Sequence, residues 1–395
     1  MITTDPIIPQ TPLRARITQA THADESECVN LLLQTAQLSE DQQSRAQLFA
    51  RELVENVRKS SEDQGGLDSI LEKYDLSSEE GIALMCVAEA LLRIPDTETI
   101  DKLLEDKLSA SDWLSHLDSD DSLFTNAVTW SLMLTGKLYA NNGHSESRLK
   151  NILKKLTQKG SGLAVRPAVK NFMKFLGKKF VMGQTISEAL KRARKIESRG
   201  YRYSYDMLGE AARTADDAAA YYKAYVDAIE AIGAHAAGRG PIESPGISIK
   251  LSALHPRYEV AKHDRVMNEL VSRLRELAIL AKKFDVNLTV DAEEADRLEL
   301  SLDVIEAVFR DKALDGWEGF GLAVQSYQKR APFVLDWLAS LSRDCKRKVM
   351  VRLIKGAYWD SEIKHCQELG LSGYPVFTRK HSTDVSFLAC AKKIS

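Results

Sequence analysis

The sequence predicts an all-α N-terminal half followed by an α/β domain of successive parallel strands and helical crossovers. Three observations carry this. No strand-like alternation appears before about residue 200. After Gly200, short apolar runs alternate with amphipathic helical stretches, their starts spaced by about 30–45 residues, the repeat of a βα unit. The runs are near-continuously apolar, as in strands buried on both faces, and then break into clustered polar residues. Such units build either a doubly wound sheet or a (β/α)8 barrel. No G-x-G-x-x-G follows the first run, and Gly238-Arg239-Gly240-Pro241 is a turn, which weakens the dinucleotide-binding form of the first alternative.

Size and composition bound the rest. At 395 residues the chain suits roughly two or three domains. Charged residues are 28% and hydrophobic residues 44%, a globular balance, and a net charge of −2 gives no global attraction to nucleic acid or an anionic membrane. Five cysteines are scattered singly, with no C-x-x-C, which argues for reduced thiols in a cytoplasmic protein. There is no signal-type apolar region at the N-terminus and no apolar run long enough to span a bilayer.

Along the chain, residues 1–10 read as a disordered terminus containing Pro6 and Pro9. From about Ala23 to Lys59 the pattern is helical, with a narrow stripe of Cys28, Leu31, Leu32, Ala36 and Leu38, then Phe49, Leu53 and Val57. Residues 11–60 are therefore expected to form a helical, dimerisation-type arm. Residues 61–180 read as an all-α domain, with a capping box at Ser77 to Glu80 and a stop at Pro95. Residues 181–395 hold the α/β part. Its expected strands are Tyr201–Leu208, Gly246–Leu254, Asn287–Ala292, Gly319–Tyr327 and Val349–Gly356, and its longest helices Asp216–Ala237 and Tyr258–Phe284. A complete barrel needs about 250 residues, and five strands are found rather than eight. The last helix, Thr383–Ile394, ends at the C-terminus, so the barrel is expected to be incomplete.

In parallel α/β folds the chemistry gathers at the C-terminal ends of the strands. Here the ends offer Asp206 and Glu210, then Lys250, then Asp291 with Glu293 and Glu294, then Gln325, Tyr327, Lys329 and Arg330, then Arg352, Lys355 and Tyr358. Each has a plain structural alternative: a snorkelling lysine, a helix cap, a satisfied backbone group. Five successive strands ending this way point instead to a ligand with a flat face and acceptor atoms. His255 reads as structural, and His365 and His381 as exposed. No paired histidines suggest a metal, and the basic run Lys191 to Lys195 reads as a solvated helix face.

Longer motifs make the chain recognisable. R-Y-S-Y-D-M-L-G-E-A (Arg202–Ala211), P-G-I-S-I-K-L-S-A-L-H-P-R-Y (Pro245–Tyr258), D-A-E-E-A-D-R-L-E (Asp291–Glu299), Q-S-Y-Q-K-R (Gln325–Arg330), V-R-L-I-K-G-A-Y-W-D-S-E-I-K (Val351–Lys364) and Y-P-V-F-T-R-K (Tyr374–Lys380) occur in order. Together they closely resemble the proline dehydrogenase domain of bacterial bifunctional proline utilisation A. Gly81 to Pro95 resembles that family's helical domain. The resemblance implies an α/β barrel of the (β/α)8 TIM type, incomplete with about five strands, behind a helical arm and an all-α domain.

The resemblance further implies a flavoenzyme that oxidises L-proline to Δ1-pyrroline-5-carboxylate with FAD and passes electrons to a membrane quinone. It implies that Lys250 helps bind the proline carboxylate. Asp291 lies beside that lysine and the flavin, and Gln325 bonds the flavin ring. Arg352 sits near the flavin N5, and Glu210 orients a substrate-binding arginine. Ile354, Lys355, Gly356, Ala357, Tyr358 and Trp359 form the flavin-contacting turn, with Tyr358 facing the substrate, and Thr378 and Lys380 reach the rest of FAD. Gly356, without a Cβ, is suited to approach a planar ring. A homo-oligomer and peripheral contact with the cytoplasmic membrane are implied for the full-length protein. The family's ribbon-helix-helix module has no counterpart, so no DNA-binding module and no repressor role are expected. The last three strands, with a flavin-binding histidine and an arginine pair gripping the proline carboxylate, also lack counterparts, so the chain is expected to be impaired in activity. Two other readings are a non-catalytic helical interaction fragment with a partly disordered C-terminal half, and an aldolase-like barrel with Lys250 as a Schiff-base amine.

Overall fold

Five short parallel strands form one sheet in the order β1-β2-β3-β4-β5, each paired with its sequence neighbour. A computed structural model describes residues 10–63, 98–99 and 181–394. The expected terminus at residues 1–10 and the all-α domain at residues 61–180 fall almost wholly outside the described residues. The chain divides into two compact units, residues 1–42 with 185–395, and residues 43–184.

In the first unit, α1 (Pro12–Gln19) and α2 (Glu25–Ala36) precede α4 (Ile186–Glu197). Between them in sequence, α3 (Glu40–Asp63) runs into the second unit. Then come β1 (Ser204–Asp206), α5 (Ala215–Ala236), the single turn α6 (Gly240–Glu243), β2 (Gly246–Ile249), the single turn α7 (Leu251–Leu254) and α8 (His263–Lys283). The chain continues through β3 (Leu288–Val290), α9 (Leu298–Phe309), β4 (Phe320–Gln325), α10 (Ala331–Asp344), β5 (Met350–Ile354), α11 (Trp359–Glu368) and α12 (Lys380–Ile394).

Every crossover steps to the next position in the same direction, so the sheet has no switch point of the doubly wound kind. It also curves. Neighbouring strands lie about 4.8 Å apart, so β2 and β5 would be about 14 Å apart in a flat sheet. Arg352 on β5 nevertheless donates a hydrogen bond of 2.7 Å to Ser248 on β2, across two intervening strands. That chord requires the curl of a barrel wall, and the arrangement agrees with an incomplete (β/α)8 barrel.

Local chemistry explains the elements. Strands β2, β3 and β4 are buried at every position, as their apolar runs require. α8 turns Val266, Leu270, Leu274, Leu277, Ala278 and Ala281 inward at helical spacing. A capping box of Thr214 and Asp217 starts α5, and three hydrogen bonds with Thr214 and Arg213 hold the Asp217 carboxyl below the ordinary aspartate range.

Several boundaries differ from the sequence expectation. The second strand stops at Ile249, because Lys250 leads straight into a helical turn whose Ser252 N–H bonds the Glu293 carboxylate. The first strand is only three residues long, ended by a bend in which Gly209 (φ 128°) and Ala211 (φ 57°) turn left-handed. α8 starts at His263, not Tyr258, because residues 260–262 form a separate 3-10 turn. α12 begins at Lys380 rather than Thr383. The helical pattern from Ala23 to Lys59 is two helices, since Ser39 and Gln42 form a second capping box at the start of α3. α1 lies inside the expected helical arm, ahead of the apolar stripe that starts near Ala23. It is capped by Thr11, carries Pro12 in its first turn and buries Ile17 completely.

The arm belongs to the barrel unit up to residue 42. Arg14 bonds Asp303 at 2.7 Å and the Glu299 carbonyl at 3.0 Å on α9, and lies over Trp337 of α10. α2 packs against α12 around Leu32, Phe377 and Ala389. The sheet and its helices lie where the interaction-fragment reading expects partial disorder. In the second unit, α3 exposes every described side chain, including Leu48, Phe49, Leu53 and Val57.

Candidate active site

Four charged groups from four strands converge at the C-terminal ends. The Lys250 ammonium, just past β2, donates to Asp206 of β1 at 3.0 and 3.1 Å and to Asp291 beyond β3 at 2.9 Å. The other oxygen of Asp291 accepts from the Arg352 guanidinium of β5, which also reaches Ser248. Burial pushes the Lys250 amine down, but the two carboxylates outweigh it and hold its pKa above the ordinary lysine value. The amine therefore stays protonated, the opposite of what a Schiff-base nucleophile needs.

A second, more buried layer supports the first. Glu293 is 8% exposed and accepts from Ser252 N–H at 3.0 Å and Arg297 at 3.1 Å, and burial raises its pKa. The Gln325 amide donates to the Glu293 carbonyl at 2.8 Å and its oxygen accepts from Ala357 N–H at 3.2 Å. Gln325, 3% exposed, thus staples the turn after β5 to the end of β3. Glu362 accepts from Ala295 N–H at 2.6 Å, and Arg330, 3% exposed, donates to the Ala295 carbonyl, its pKa pulled down to about 10 by burial.

The remaining sequence-predicted residues fall in three places. The turn of Lys355, Gly356, Ala357 and Trp359 is exposed, with Ile354 half-buried before it. Tyr358 is half-buried in the same turn, and its hydroxyl pKa is raised by burial and then by the charge of Glu210, itself exposed. Thr378 and Lys380 lie at the start of α12, against the same turn: Trp359 donates to the Phe377 carbonyl at 2.9 Å, and Lys355 and Lys380 both face Asp384, at 2.5 and 3.9 Å. Thr378 N–H bonds the Glu25 carboxylate of α2 at 3.0 Å. At Gly356 (φ 145°) an added Cβ would sit 2.4 Å from the Tyr327 ring, so the turn packs this closely on that side only with glycine. Asp206, at 47% side-chain exposure, is not a buried strand end. His255 is structural and buried, and His365 and His381 are exposed, as expected.

Sequence reasoning missed Ser248, while Glu293 was among the strand-end residues it offered. Ser248 carries a signal, two residues before Lys250 on a strand. Among the described residues, no group of three or more His, Cys, Asp or Glu could hold a metal, and no helix is long and apolar enough to cross a membrane. The residues present fit a planar cofactor with acceptor atoms. Arg352 keeps 39% of its side chain exposed, and beside it lies an open turn with the Trp359 indole 41% exposed.

Comparisons with known proteins agree with this fold. Residues 189–395 match the family model described as proline dehydrogenase. Residues 11–58 match that of the proline utilization A proline dehydrogenase N-terminal domain. The chain is 51% identical over 391 residues to the bifunctional protein PutA of Klebsiella aerogenes, covering 98% of this chain and 30% of that protein. It is 48% identical to the PutA of Rhizobium meliloti over 97% of this chain and 31% of that one. A crystal structure of a Bradyrhizobium japonicum proline utilization A variant matches with a TM-score of 0.67 at 46% identity, covering 94% of this chain and 36% of that one. The chain thus spans about 30% of the length of the curated relatives it matches. One expectation is overturned. Residues 66–180 match a model described as the DNA-binding domain of proline dehydrogenase, so the expected lack of a DNA-binding module does not stand. With more than half of its residues in the catalytic-domain match, the chain belongs to the proline dehydrogenase family.

Proposed function

We propose that this chain carries the flavin-facing part of a site that oxidises L-proline to Δ1-pyrroline-5-carboxylate in proline catabolism to glutamate. FAD is the cofactor and a membrane quinone the final acceptor, reached by peripheral contact of a homo-oligomeric parent protein. The observation that carries the reading is the convergence of Lys250, Asp291 and Arg352 from three strands on one patch at the strand ends. Membership of the family supports it.

The chemistry supplied by bound FAD is uptake of the hydride leaving proline C5. Arg352 would hold the cofactor's reactive edge and stabilise negative charge building there. Asp291 fixes both cations, and Gln325 fixes the turn of residues 354–359. Tyr358 would flank the proline ring, with Glu210 beside it, and Thr378 and Lys380 would meet the far end of FAD. Lys250 would supply a point charge to the proline carboxylate.

Charge counting sharpens that last role. Lys250 and Arg352 are matched one for one by Asp206 and Asp291, so the quartet is formally neutral. A carboxylate arriving there meets no net positive charge. Lys250 alone would grip proline weakly, and the arginine pair that the resemblance assigns to later strands would provide the excess. Proline-dependent dye reduction by these 395 residues is therefore expected to be slow.

Titrating the purified chain with FAD tests the reading. Saturable quenching of flavin fluorescence at one equivalent is expected, weakened about tenfold or more in Arg352→Met. A chain that takes up no FAD would overturn it.

A further inference from the structure

We infer that Ser248 is a positioning residue for Arg352, setting the guanidinium's orientation toward the cofactor edge; this rests on the flavin reading above. Ser248 sits on β2, fully buried, and its Oγ accepts from Arg352 at 2.7 Å. A guanidinium only donates, so the hydroxyl accepts there and keeps its own proton for Ser204 Oγ, 3.2 Å away on β1.

Asp291 cannot do this alone. It shares its carboxylate between Lys250 and Arg352, one oxygen to each. A single-point contact leaves a guanidinium free to swing about that bond. The second anchor comes from the opposite wall of the curved sheet, and two anchors on the two terminal nitrogens define the plane. Arg352 keeps its remaining N–H groups for the open face, where 39% of its side chain is exposed. Ser248 itself is sealed from that face, so it touches neither cofactor nor substrate and acts only through the arginine.

The test uses Ser248→Ala, with Ser248→Thr as the variant that keeps the hydroxyl. In Ser248→Ala, FAD affinity is expected to fall about tenfold and the visible spectrum of the bound flavin to shift, while Ser248→Thr stays near the parent chain. A second readout needs no flavin: the Arg352 Nε–H signal in 15N–1H spectra should broaden through faster exchange with water in Ser248→Ala. If Ser248→Ala binds FAD like the parent and its Arg352 signal is unchanged, the inference is wrong. If the parent chain binds no FAD, the flavin reading fails, and the Arg352 signal alone decides the positioning role. Should Ser248→Ala not fold, Ser248→Thr and Ser248→Cys carry the comparison. A sharp signal in the first and a broad one in the second supports the role, and equal signals overturn it.

Discussion

Asp291 is the residue on which the site's electrostatics turn. It is 8% exposed and binds two cations at once, one on each carboxylate oxygen. Asp291→Asn would leave Lys250 and Arg352 close together with only Asp206 to offset them. Charge-assisted hydrogen bonds are each worth about 1.5–3 kcal/mol, so a loss of about 3 kcal/mol is expected in urea unfolding. A loss below about 1 kcal/mol would mean that water already screens the cluster. At this scale the sequence was informative. Lys250, Asp291 and Arg352 were legible as strand-end polar residues, and they do meet. At Gly356 the sequence shows only that something lies close, and the structure supplies one such neighbour, the Tyr327 ring.

At the scale of elements, the arm is part of the barrel unit's packing. α1 contributes Ile17, fully buried, and Arg14, held by α9 and stacked on α10. Ile17→Ala is expected to cost about 3 kcal/mol, as buried large-to-small changes do, and to lower the unfolding midpoint of the whole unit. If instead only the arm's helical signal melted early, α1 would be an appendage. The sequence reading placed these residues in a helical arm but drew no buried face on them, because eight residues holding Arg14 and Arg16 show no apolar stripe. Its burial depends on partners 280 or more positions away, on α9 and α10, and no local periodicity records them.

For the whole molecule, pH offers a test through His255. Its Nδ1 accepts from Arg257 N–H at 3.1 Å, so the neutral ring carries its proton on Nε2 toward Glu269. Burial holds its pKa below the ordinary 6.5, outweighing Glu269. Below pH 6.5 the unfolded chain therefore binds more protons than the folded one. The stability that the neutral ring provides is complete above pH 6.5 and is lost as pH falls through the window beneath it. The stability gap between the parent and His255→Gln should narrow on acidification from about pH 7 to about pH 5. A gap independent of pH would mean that His255 titrates normally.

What the sequence by itself determined was the order of elements and the identity of the polar residues at the strand ends. Apolar runs and helical stripes are local, and strand period places Lys250 and Asp291 without reference to the rest of the chain. Only the tertiary structure decided that the sheet curls, that Arg352 spans it to Ser248, and that the four charges cancel. Those facts depend on groups 41 to 104 positions apart in sequence, brought together by the curvature of stacked βα units. Distance along the chain carries no record of distance across a barrel.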